Sequence, residues 1–167
     1  RGRAVSEQPF SLDLLYQTIE QHLQEKLSGV QLVSFWPDIE QHIPLPAVFL
    51  GIAEIEPGTD IGTGESTLTV TFEARVIVDV IRDQHYQQAV HLATQLAVLL
   101  RAQTWGLEVE PAEFQRSAQD WTQPELDGYT VWLVEWTQTI YLGEKEWPWP
   151  DEQPGTLTFN VGGEDQP

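Results

Sequence analysis

The spacing of apolar residues switches between helical and strand-like periods along this chain. Leu12, Leu15, Ile19, Leu23 and Leu27 recur at helical intervals with Gln and Glu on the opposite side, the stripe of an amphipathic helix. Ser11 is the expected N-cap, Phe10 the outer half of a hydrophobic staple on Leu15, and Gly29 the C-terminal stop. Val30 to Trp36 reads as a short strand. Pro37 and Pro44-Leu45-Pro46 make Asp38 to Leu45 a loop or a single turn. Ala47 to Glu56 is apolar on both faces, which suits a strand buried on both sides.

An acidic, Gly-rich loop, Pro57 to Glu65, leads into a long alternating strand, Ser66 to Arg82. Leu68, Val70, Phe72, Ala74, Val76, Val78 and Val80 share one face. Thr67, Thr69, Thr71, Glu73 and Arg75 share the other, where Ile77 and Ile81 turn the far end apolar as well. Strands of ~5–6 residues are typical, so this run predicts a sheet arm projecting past the body. An arm leaves edge groups unpaired unless something covers them, which is the residue-level sign of an oligomer.

A second helix is expected from Asp83, as its cap, to about Gln103, with Ala89, Leu92, Ala93, Leu96, Leu99 and Leu100 as its apolar stripe. Ala89, Ala93 and Ala97 allow it close packing on a sheet. Trp105-Gly106 ends this unit. Glu110 to Ser117 is a weakly patterned connector with room for a short strand around Phe114, and Asp127-Gly128 marks a turn. In the closing strand, Tyr129 to Leu142, Trp132, Val134, Trp136, Ile140 and Leu142 lie on one side, with Tyr129, Val131, Leu133 and Tyr141 on the other. Beyond Gly143, prolines exclude helix and central strand. Trp147 and Trp149 look like aromatic anchors there, and Thr156 to Val161 regains strand alternation, placed to add to a sheet edge of its own or a neighbouring chain.

These elements predict an α+β fold: a mainly antiparallel sheet with a long β-hairpin arm and two helices packed on one face. Residues 1–10 read as a flexible lead-in, 11–143 as the folded domain, and 144–167 as a Pro/Trp-rich tail with a short strand.

Length and apolar content fit one such domain: 167 residues, 41% hydrophobic. Charge changes the picture more. Eight Lys plus Arg against 26 Asp plus Glu leave −18, which argues against binding a nucleic-acid backbone or an anionic membrane. The same charge suits solubility, or a surface past which DNA must slide without sticking. With no Cys there is no disulfide framework and no cysteine nucleophile or metal ligand. No apolar run approaches the ~20 residues of a membrane span, and Arg1-Gly2-Arg3-Ala4-Val5 lacks a signal-peptide core. Met is missing even at position 1, so a trimmed start is expected.

Candidate chemistry is sparse. His22, His42, His85 and His91 form no HxH or HExxH pair. His85 has Glu73 and Asp79 as conceivable partners, and Asp79 has Arg82. Glu54, Glu56, Asp60 and Glu65 flank one loop, as a divalent-metal or acid/base cluster would, but without the alternating ligand order of a calcium loop; a solvated acidic tip is the simpler reading. Gly62-Thr63-Gly64 has no following GKS or GKT, so it is no phosphate loop, and no serine has a nucleophile-elbow context. Trp132 and Trp136 read as core or interface filling.

The order of elements resembles the phage tail terminator and tail-completion proteins, including those of Mu-like prophages. The resemblance runs from about Leu12 to Glu144 and is carried by "PLPAVFLGIAEIEPG", the Gly-rich loop, "STLTVTFEARVIVDVI", "AVHLATQLAVLL" and "GYTVWLVEWTQTIYLGE". It implies a structural protein with no catalytic residue, cofactor or metal. Such a protein forms a ring with itself, commonly a hexamer, that caps the tail tube and ends polymerisation. The implied partners are the tube protein, the sheath and the head-completion proteins, with DNA passing through the lumen. The implied place is the head-proximal end of the virion tail, assembled in the host bacterial cytoplasm. The expected oligomer or tube interface comprises Glu54, Glu56, Asp60, Glu65, Thr69 and Thr71 on the arm with Trp147, Trp149 and Phe159 in the tail. Two other readings compete. One is an unrelated small oligomeric interaction domain with a two-fold seam. The other is a metal-dependent enzyme, which needs the arm carboxylates to converge with His42 or His85.

Overall fold

In a computed structural model, which describes residues 9–143 and 154–158, the chain forms two helices and a five-stranded mixed, mostly antiparallel sheet, an α+β fold. The elements are α1 (Leu12–Lys26), β1 (Leu32–Phe35), β2 (Ala47–Pro57), β3 (Ser66–Asp79), α2 (His85–Leu99), β4 (Glu113–Gln119) and β5 (Tyr129–Leu142). The strand order is β1-β2-β3-β5-β4. Only β1 and β2 run parallel, Leu32 beside Ala47 through Phe35 beside Leu50.

Helix α1 starts where its cap predicts: Ser11 Oγ accepts from the Leu14 N–H at 3.1 Å. It ends at Lys26, and Gly29 turns the chain with φ +75. Helix α2 departs from expectation at both ends. Asp83 is not its cap; Gln84 holds that position in the left-handed region (φ 59) and makes no side-chain cap bond. The helix stops at Leu99, and the chain then turns to close Ala112 N–H on the Gln103 carbonyl at 2.8 Å.

Both helices bury their stripes in a single core on one face of the sheet. Leu15, Ile19 and Leu23 from α1 and Ala89, Leu92, Ala93 and Leu96 from α2 meet Val70, Phe72, Ala74 and Val76 of β3 and Val134, Trp136 and Ile140 of β5. The two-residue period of β3 and β5 thus sorts the faces as their sequences predict. Trp136 and Trp132 belong to this core.

Three strand expectations need correction. Strand β2 is buried only at its start, Ala47, Val48 and Leu50, whereas Ala53 to Pro57 are exposed. Strand β1 pairs with Ala47 to Leu50 alone, so the rest of β2 runs on past its outer neighbour. Strand β3 ends at Asp79, leaving Val80 and Ile81 exposed in the following turn. The weakly patterned connector contains β4, longer than a strand around Phe114 alone and paired with β5 from Glu113 beside Thr137 to Gln119 beside Trp132. Its polar side chains suit an edge strand, which is why alternation did not reveal it.

Candidate functional site: the outer half of the sheet

The hairpin β2–β3 stays paired out to Pro57 beside Leu68, and β5 continues along β3 to Leu142 beside Ser66. The arm is therefore three strands wide. Its inner face is roofed, since Val70 and Ile140 are buried with Trp105 and Val109 in the core. Gly58 closes the hairpin: its N–H donates to the Thr67 carbonyl at 2.8 Å, and a Cβ there would sit 2.6 Å from Thr67 Cγ2. A side chain at residue 58 would force Thr67 to shift.

A register shift between Ile52 and Glu54 re-aims the outer half of β2. After it Glu54 lies beside Thr71 and Glu56 beside Thr69, and Thr71 and Thr69 lie beside Thr137 and Thr139 of β5. These residues occupy the face away from the helices. Thr69 Oγ1 and Thr139 Oγ1 are 3.4 Å apart, and Gln115 Nε2 donates to Thr137 Oγ1 at 3.1 Å. Glu54 and Glu56 are exposed. The negative charge of Glu56 raises the Glu54 carboxyl above its ordinary value, with a hydrogen bond between the two adding to it. Four of the predicted interface residues, Glu54, Glu56, Thr69 and Thr71, thus form one acidic, hydroxyl-bearing patch.

Asp60 and Glu65 lie apart from it in the loop at the end of the hairpin. Asp60 Oδ1 accepts the Gly62 N–H at 2.8 Å, and Thr63 Oγ1 is 3.4 Å from Glu65 Oε1. Trp147, Trp149 and Phe159 lie outside the described residues. Thr156 to Thr158, the described part of the expected tail strand, are exposed and in no strand.

The arm carboxylates do not meet the histidines. His85 Nδ1 is 2.7 Å from Thr130 Oγ1, and Thr130 pairs with Val78, seven positions along β3 from Thr71, or about 23 Å at strand rise. His85 thus takes Thr130 as partner, while Glu73 takes Arg75. Arg82 reaches Gln88 Oε1 at 3.4 Å, and Asp79 Oδ1 accepts the Ile81 N–H, so the two form no ion pair. His42 lines a cleft of about 490 Å³ with Ile39, Phe49, Ile77 and Tyr129, over the inner half of the helix-free face. Among the described residues no three His, Asp or Glu side chains are grouped to hold a metal ion. No helix there is long and apolar enough to cross a membrane.

Two polar networks escaped sequence reasoning. In the core, Gln138, 1% exposed, accepts from the indole N–H of Trp105 at 2.9 Å and of Trp136 at 3.3 Å. Its amide donates to the Gln103 and Glu110 carbonyls at 3.0 and 2.8 Å. On the opposite face Arg75 binds Asp120 Oδ2 at 2.7 Å and Glu73 Oε2 at 2.9 Å. Burial by itself would raise the Asp120 carboxyl, but hydrogen bonds from Thr122 and Arg75 outweigh it and hold it below the usual carboxylate range. Stability from a depressed carboxyl is present above the unfolded value, about 3.9, and is lost as pH falls through the folded value. Asp120→Asn is therefore expected to cost about 2 kcal/mol at neutral pH, with the gap to the parent closing below about pH 4; urea unfolding across pH measures it. A gap unchanged at low pH would deny the pair that role.

His22 is set differently. Burial, with the Lys26 charge, lowers its pKa against the opposing pull of Glu25. Its Nε2 accepts from the Gln103 amide at 3.2 Å, and its ring meets Trp105 edge-on at 5.3 Å.

The fold and this outer patch define an α+β domain whose polar groups converge on a surface. No protein-family model matches the chain, and no curated protein matches it. Among solved structures it is similar to the PVC sheath/tube terminator of an extracellular contractile injection system in its extended state, with TM-score 0.42 and 12% identity. The alignment covers 95% of this chain and 66% of that one, so the chain spans just under two thirds of its length.

Proposed function

We propose that the chain is a structural, ring-forming tail terminator. Copies of it, six in a hexamer, cap the tail tube at the head-proximal end of a virion tail, end tube polymerisation and present a surface for head–tail joining. The observation that carries this reading is the outer half of the sheet. Its helix-free face gathers Glu54, Glu56, Thr69 and Thr71, and it continues past the point where β1 stops covering β2. Such a surface suits contact with neighbouring copies and with the tube protein, the sheath and head-completion proteins being the further partners. The sequence resemblance supports the same role, and an acidic lumen lets DNA pass without trapping it. Residues 1–10 would be a flexible lead-in and 144–167 a docking tail. Assembly would take place in the host bacterial cytoplasm.

A cyclic ring needs a heterologous contact that closes. Light scattering at several concentrations is expected to give about six times the 19.0 kDa chain mass. Raising salt from 0.05 to about 0.5 M should favour the ring, because ions screen repulsion between chains of net charge −18. A strict dimer under every condition would replace this reading with a two-fold interaction domain.

A further inference from the structure

We propose that the uncharged segment Thr156 to Val161 of one copy adds as a strand to the open outer edge of β2, Gly51 to Pro57, of a neighbouring copy. The inference takes from the ring reading only that the neighbour is a second copy of this chain.

Among the described residues the edge is available, because β1 accompanies β2 no further than Leu50. Beyond it the strand remains extended and paired on its inner side to β3 as far as Leu68. An extended strand with one side free is a template for another chain. Ile55, beside Val70 in register, points to the helix side of the sheet yet is 55% exposed. A strand laid next to it would cover that side chain.

Charge selects the occupant. Two copies joined edge to edge would bring Glu54 and Glu56 of one against those of the other, and like charges across paired strands are destabilising. Pro154 to Val161 has no charged residue and alternates Thr156, Thr158 and Asn160 with Leu157, Phe159 and Val161. That period puts all three apolar side chains on one face of an added strand. Backbone pairing would supply affinity, and apolar contact with Ile55 would set the face.

Reach and position then favour a neighbour. Residues 144–155 can span at most roughly 40 Å, against about 10 Å for the two strand spacings from β5 to β2. Its own β2 edge is within reach, but the described part of the segment, Thr156 to Thr158, is exposed and in no strand. Leu157 is 80% exposed, and a Cβ at Gly155 would have nothing within 4 Å.

The chain has no Cys, so introduced thiols report without background. One chain would carry Ile55→Cys and a second, enlarged by a tag, would carry Leu157→Cys. The two are mixed with a bis-maleimide of ~10 Å reach, which spans adjacent strands. A band at the summed mass of the two chains is the expected result. Abolition of that band by Phe159→Asp in the second chain would support strand docking further; its persistence would count against it. Absence of the band while light scattering finds a ring would overturn the inference and leave the ring reading intact. Absence of both would overturn both. In the doubly substituted chain at high dilution, a cross-link within one chain that exceeds the mixed product would place the strand on its own edge and also overturn the proposal.

Discussion

Trp136→Ala is expected to lower unfolding free energy by about 3–5 kcal/mol, a large part of the 5–15 kcal/mol usual for a domain. Trp136 is fully buried and stacks on Phe72, its register partner on β3, with centroids 5.1 Å apart and planes 15° from parallel. Phe72 in turn meets Phe35 on β1, and Trp136 meets Trp105 in the loop after α2. Trp136 therefore ties β5 to β3 and to the loop after α2, and through Phe72 to β1. Its removal leaves a cavity between elements that are themselves paired and cannot easily close on it. At ~2–4 °C per kcal/mol for a chain of this size, the melting temperature should fall by about 10 °C. A loss under about 1 kcal/mol, within the range of surface substitutions and mild repacking, would contradict a core role.

Gln138→Leu is expected to cost about 3 kcal/mol, although leucine is similar in size and the position is buried. The reason is the four partners it strands. Two indole N–H groups and two backbone carbonyls would remain in the core without Gln138, and a buried group left unsatisfied costs about 1–3 kcal/mol. Water entering the loosened loop would recover part of that. Because both carbonyls belong to the segment between α2 and β4, amide exchange should quicken there, from Gln103 to Ala112, more than in α1. Equal quickening everywhere would indicate global destabilisation without a tethering role. The double variant with Trp136→Ala should fall short of the two losses added together by about 0.5–1 kcal/mol, since one of the four bonds is made by Trp136 itself. Full additivity would mean that bond contributes nothing.

The importance of Gln138 was half visible. It sits in the alternation of β5 at a core position, between Trp136 and Ile140, where a polar residue breaks the pattern. What it binds depends on a loop that approaches from more than twenty residues earlier in the chain, and spacing along one strand carries no record of that. Asp120 was hidden for the same reason. Its partner Arg75 is 45 residues away, and the two meet only because β5 lies between β3 and β4.

Local signals determined the elements and their faces. Ser11 as a cap, the stripes of α1 and α2, and the alternation of β3 and β5 each depend on neighbours within one or two turns or along one strand, where steric and hydrophobic preferences act directly. They also determined the negative charge and the α+β class. The tertiary structure alone decided how far β1 accompanies β2, and hence that Ala47, Val48 and Leu50 are buried while Ala53 to Pro57 are exposed, although both stretches include apolar residues. It also decided that Glu54, Glu56, Thr69 and Thr71 share a patch while Asp60 and Glu65 stand apart at the tip. Pairing register and a single bulge set those positions, and both are long-range properties: a shift of one residue sends a side chain to the opposite face of the sheet.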